Sequence, residues 1–233
     1  MTLPTTAVSS LPIVAHADEG GGAHHAHPDL AHHFDTLEQQ LDSAKLGMWC
    51  FLVTEVLMFG GLFAAFIMFQ HFDKQIFLEA HNKLNKVQGG TNTVVLLTSS
   101  LTMALAVRSS QQGKRKATSA YLLATLGFAF MFLVIKYFEY MHKIHDGLLP
   151  GTHFSNHELP KAAHVFFSLY FMMTGLHGIH VVIGIGLITW ILIRNQKGQF
   201  SPDFYTPVDL VGLYWHLVDL VWIYLFPLLY LIG

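Results

Sequence analysis

Residues 49–69 read WCFLVTEVLMFGGLFAAFIMF, an apolar run with a single charge, Glu55. As a helix rising ~1.5 Å per residue, this run covers about 30 Å, the thickness of a bilayer's hydrocarbon core. A carboxylate at that depth costs roughly 2.5–3.5 kcal/mol on insertion scales, so Glu55 calls for a polar partner elsewhere in the chain. The composition agrees with a membrane setting. Hydrophobic residues make up 52% of the chain and charged residues 12%, with mean hydropathy +0.43. A soluble domain carries about twice that charge fraction. A net charge of -2 gives no footing for nucleic acid. The single cysteine, Cys50, excludes an internal disulfide, a thiolate cluster and a two-cysteine copper site; its place in the apolar run predicts a small packing residue.

Working outward from that run, the sequence predicts an all-α integral membrane bundle of five transmembrane helices. They cover residues 44–70, 91–107, 118–140, 161–193 and 208–232. The second is short and rich in Thr and Ser, which predicts burial among other helices. The fourth offers Gly175, Gly178, Gly184 and Gly186 as close-approach points, and Pro227 predicts a kink late in the fifth. Arg108, Lys114, Arg115 and Lys116 crowd one short loop, and Arg194 and Lys197 fall on the same side. The positive-inside rule then places the N-terminus in the cytoplasm and the C-terminus outside. Ahead of the 44–233 membrane domain, residues 1–43 form a polar leader. Its start has a short apolar stretch broken by Pro12 and no basic n-region, which predicts a retained, extended or disordered segment rather than a cleaved signal.

Sixteen histidines are unusual for this length, and they form two populations. His16, His24, His25, His27, His32 and His33 lie in the Gly/Ala-rich leader, where solvated disorder, transition-metal binding and proton buffering are all open. The others lie in or beside apolar segments. His177 and His180 share one face of the fourth span at i, i+3, and His216 and Asp219 have the same spacing on the fifth. Glu55 lies about 16 Å into the first span, His216 about 12 Å into the fifth, and His180 about 20 Å from Arg194, so these groups could meet near the midplane. Three readings stand: a structural polar knot, a proton-handling carboxylate with histidine partners, and a bis-histidine haem or metal site. Lys136 and Glu139, also at i, i+3, read as an interfacial ion pair whose lysine snorkels to the headgroups.

These segments resemble subunit III of the haem-copper oxidases, the family of cytochrome c and quinol oxidases. Lys45-Leu46-Gly47-Met48-Trp49 followed by Phe51-Leu52-Val53-Thr54-Glu55-Val56 is similar to the helix that bears the family's buried, carbodiimide-reactive glutamate. Asn92-Thr93, the run from Leu96 to Ser100, and Phe138-Glu139-Tyr140 match the next two helices. Thr174-Gly175-Leu176-His177-Gly178-Ile179-His180-Val181 and Tyr214-Trp215-His216-Leu217-Val218-Asp219-Leu220-Val221-Trp222 match the two most recognisable segments. The likeness covers residues 32–233. Mitochondrial-type members have seven helices and this chain begins where their third begins, as in the five-helix bacterial type.

The resemblance implies a multi-pass subunit of the bacterial inner membrane, part of a respiratory electron-transport complex that pumps protons. It implies no redox cofactor on this chain, with haem and copper in partner subunits, and contacts with catalytic subunit I, subunit II and structural phospholipids. The electron donor, cytochrome c or quinol, would act through other subunits. Glu55 would be the buried glutamate, His180 its partner, and Arg194 a phospholipid contact. A quinol oxidase subunit III, an accessory protein of a nitric oxide reductase, and a small proton or metal transporter are the alternatives.

Overall fold

A computed structural model describes residues 34, 36–150, 159–160, 162–202 and 204–231. The leader histidines up to His33, residues 153–158, Lys161 and Ile232 lie outside the described residues. Six helices follow in order: α1 (Leu37–Phe72), α2 (Lys74–His81), α3 (Lys86–Gln111), α4 (Arg115–His145), α5 (Ala163–Gln196) and α6 (Thr206–Tyr230). All except α2 are long and apolar enough to cross a membrane, so the chain is an integral membrane bundle of five spanning helices.

Local chemistry sets the helix ends. Thr36 caps α1 by accepting from the Gln39 N–H, and Asn85 caps α3 by accepting from the Val87 and Gln88 N–H groups. At the other ends, Gly113, Gly147 and Gly198 take φ of 69°, 70° and 75°, a region that favours glycine. Each closes its helix with the same pair of bonds. After α3, for instance, the N–H groups of Gly113 and Lys114 reach back to the carbonyls of Ser110 and Ser109. These bonds satisfy carbonyls that a helix otherwise leaves open. The glycines therefore stop α3, α4 and α5, information the hydropathy pattern does not carry.

α6 is the central helix, packed against α1, α3 and α5, while α3 packs on α4 and α4 on α5. Half of the spanning window of α6 is buried but only 17% of that of α1. Trp215, Trp222, Leu225, Leu229 and Tyr230 of α6 are enclosed, whereas Trp49, Val53, Leu57 and Met68 of α1 face outward. Cys50 is also on that outward surface rather than in the packing where the sequence suggested it. The short α2 falls between the first two expected spans. It wedges Phe77 between Phe66 of α1 and Phe166 of α5, with ring centroids 5.3 and 5.4 Å apart. Eight residues are too few for hydropathy to register, and α2 is held by this aromatic contact and by a His81 Nδ1 bond of 3.0 Å to the Leu229 carbonyl.

Of the four α5 glycines, only Gly184 is a tight contact. A Cβ there would lie 2.6 Å from the Trp215 ring, while Gly178 and Gly186 face open space. The Thr/Ser-rich α3 is half enclosed rather than fully buried. Asn92, Leu96, Ser99 and Met103 point inward, and Val94, Thr98 and Leu101 outward. Outward Thr98 bonds back to the Val94 carbonyl, so its hydroxyl is satisfied without a neighbour.

Candidate functional site

Glu55 meets His180 across the α1–α5 contact. Its Oε2 lies 3.0 Å from His180 Nε2, and the two side chains are 14% and 12% exposed. The other ring nitrogen fixes the tautomer. His180 Nδ1 is 2.8 Å from the Leu176 carbonyl, which can only accept, so Nδ1 carries a hydrogen. Nε2 must then share one proton with Glu55, as carboxylic acid and imidazole or as carboxylate and imidazolium. Both forms leave the pair with zero net charge, which is how two titratable groups can sit at this depth. The surroundings fix its position. Phe59 packs edge-on to the His180 ring at 5.4 Å, and the Tyr214 hydroxyl donates to the His180 carbonyl at 2.9 Å. The glutamate is placed by α1, the imidazole by α5 and the brace by α6, so three spans converge on one proton-bearing hydrogen bond.

The other sequence-singled residues do not join that pair. His177, one turn before His180, turns the other way into an aromatic box, 5.5 Å from Phe132 and 5.2 Å from Trp222 by ring centroid. Neither of its nitrogens has a hydrogen-bond partner among the described residues. His216 Nδ1 pairs with the Ser100 hydroxyl at 2.8 Å on the α3–α6 seam. That seam is a ladder of α6 side chains on α3 hydroxyls, with Trp215 Nε1 donating to Ser99 at 2.7 Å and Trp222 Nε1 to Thr93 at 3.1 Å. Asp219 is enclosed on α6 one turn after His216, with neither oxygen in hydrogen-bond geometry with a described residue. Arg194 lies at the end of α5 over the rings of Trp190 and Phe200, 4.9 and 5.6 Å away, and its Nε donates to Gln199 at 2.6 Å. Among the described residues, no three His, Cys, Asp or Glu side chains converge so as to hold a metal ion.

One cluster was underestimated. Lys136 and Glu139 do not face outward; both are buried between α4, α5 and α6. Lys136 Nζ donates to Glu139 Oε2 at 2.8 Å and to the Tyr230 hydroxyl at 2.9 Å. The hydroxyls of Tyr170 and Tyr230 donate in turn to Glu139 Oε1 at 2.9 and 2.5 Å. The ammonium also lies 4.8 Å from the Trp222 ring. The i, i+3 spacing identified the pair, but its depth depends on tyrosines 34 and 94 residues away, which no local pattern reveals.

This arrangement defines a multi-pass helical membrane protein whose polar side chains tie spans together. The family model for cytochrome c oxidase subunit III matches residues 30–233, and the chain belongs to that family. Among similar proteins, the quinol oxidase subunit 3 of Bacillus spizizenii is 32% identical over 201 residues, 84% of this chain and 92% of the relative. The cytochrome c oxidase subunit 3 of Synechocystis sp. is 29% identical over 231 residues, 99% of this chain and 88% of the relative. That of Thermostichus vulcanus is 30% identical over 199 residues, 85% and 92%. The chain is thus an accessory subunit of a haem-copper oxidase, and part of an oxidase complex.

Proposed function

We propose that this chain is a non-redox subunit of an aerobic respiratory oxidase, seated in a bacterial inner membrane against catalytic subunit I and near subunit II. Haem and copper are held by those partners, and the chain itself carries no catalytic centre. Its N-terminus is cytoplasmic, with residues 1–43 as a polar leader to the 44–233 membrane domain. Its tasks are to stabilise the catalytic subunit, to support proton uptake and to hold phospholipids, Arg194 being a headgroup contact. The observation that carries the proton-linked part is the hydrogen bond between Glu55 and His180, which holds one proton between two spans of the bundle. His177, His216 and Asp219 extend this polar interior towards α4 and α3. Deleting the chain tests the reading. The haem spectrum of the remaining complex should stay intact while sustained turnover falls. Loss of haem with subunit I still present would overturn the accessory role.

Cytochrome c is the proposed electron donor of the complex, and quinol is the second reading, favoured by the 32% identity to a quinol oxidase subunit. A dinuclear copper signal in the purified complex decides for cytochrome c. Its absence, with quinol supporting oxygen uptake, decides for quinol.

A further inference from the structure

Beyond the Glu55–His180 pair, the far end of α4 holds a charge imbalance. Lys136, Glu139 and Lys143 are 7%, 2% and 3% exposed, so two ammonium groups are buried with one carboxylate. Removing an ion from water costs several kcal/mol unless a counter-charge is in contact. Glu139 is already committed to Lys136 and to two tyrosine hydroxyls. Lys143 Nζ lies 4.0 Å from Glu139 Oε1, beyond hydrogen-bond range, and 3.4 Å from the Lys83 carbonyl. An ammonium has three donors, and these contacts use one weakly. The Tyr170 ring at 5.3 Å adds a cation–π face but no counter-charge. Among the described residues the next carboxylate is that of Asp146, which lies 3.5 Å from His142 and 4.0 Å from His145.

Beside Lys143 opens a cavity of about 570 Å³, bordered by Asn82, Asn85, Gln88, Glu139, His142 and Lys143, with Lys83 at its edge. It lies where the first turn of α3 meets the last turns of α4. The lining is donor-rich, and the one carboxylate bordering it has its oxygens occupied from within. We propose that this cavity binds a phosphate-type oxyanion, which supplies the counter-charge and the acceptors that Lys143 lacks. Lysine suits phosphate as a point charge, and the dipole at the start of α3 favours an anion on the same side. A lipid headgroup and free inorganic phosphate share this chemistry.

The test uses the whole complex, isolated through a tag on this chain and stripped of loosely held lipid. It is titrated with inorganic phosphate and, separately, with phosphatidylglycerol, and bound anion is counted by native mass spectrometry. The wild type should hold one phosphate-type anion that Lys143→Gln weakens about tenfold or more, the worth of one charge-assisted bond. Lys83→Gln and His142→Ala, which keep the buried lysine, should weaken it less and carry the test if Lys143→Gln does not assemble. Binding of inorganic phosphate marks a free-anion site, and retention of phosphatidylglycerol alone marks a headgroup site. Equal binding by wild type and all variants overturns the proposal, as does a wild type that binds neither.

Discussion

Glu55 and His180 hold one proton between them across a 3.0 Å contact. Glu55→Gln keeps the shape and can still donate to Nε2, so the complex should assemble with normal stoichiometry; loss of this subunit on purification would show that the carboxyl group itself is structural. His180→Phe leaves the carboxyl with no acceptor and should destabilise the subunit by about 1–3 kcal/mol, read as a lower temperature of dissociation from the complex. At the second cluster, Lys136→Met removes the ammonium that donates to Glu139 at 2.8 Å and leaves Lys143, 4.0 Å away, as the remaining counter-charge, so it should cost about 1–3 kcal/mol. The double change Lys136→Met with Glu139→Leu removes the pair but leaves buried Lys143 without its nearest carboxylate, so it should cost less than the sum of the two single changes without restoring the wild-type stability. Additive costs in the same dissociation assay would show that the two side chains do not act as a pair. The sequence named both clusters, since charges inside apolar runs are visible one by one. Spacing alone could not separate His177 from His180, although the family resemblance named His180. The two are a helical turn apart, and which one meets the glutamate depends on how α5 is rotated against α1, α4 and α6.

At the scale of the helix, α5 meets α6 through Gly184, whose hydrogen faces the Trp215 ring. Gly184→Ala should loosen this contact, at a cost of about 1–3 kcal/mol for overpacking. Gly178→Ala, with nothing within 4 Å of the added methyl, should be neutral or stabilise by up to about 1 kcal/mol through helix propensity. Thermal retention of the subunit in the complex separates the two, and equal effects would show that the glycines are not distinguished by packing. All four glycines look alike in sequence because close approach is a property of the facing residue. Spans of 20 or more apolar residues were legible from hydropathy alone. Their true ends were not: α1 begins at Leu37, ahead of the expected residue 44, because Thr36 caps a polar first turn. The same limit hid α2, which is held by Phe77 rather than by its own composition.

Across the whole molecule, the basic loop between α3 and α4 predicts which side faces the cytoplasm. A reporter enzyme that is active only outside the cytoplasm, fused after Gly233, should be active, and one fused to the loop near Lys114 should not. The reverse pattern would invert the proposed orientation. The uneven burial of the spans has a direct consequence. With α6 at the centre and α1 largely uncovered, α1 should be the span most protected when the partner subunits are present, measurable as reduced lipid-phase labelling of Cys50. The sequence by itself determined the membrane setting, the five spans and the family, because these rest on apolar length and on local motifs that survive without knowledge of packing. Outside the Glu55–His180 pair, which the family resemblance named, only the tertiary structure decided which polar groups meet. His216 found Ser100, and Lys136 turned inward to Tyr170 and Tyr230. The physical reason is that hydrocarbon penalises every unpaired polar group alike, so the sequence shows that partners are required, while helix rotation and crossing determine who they are.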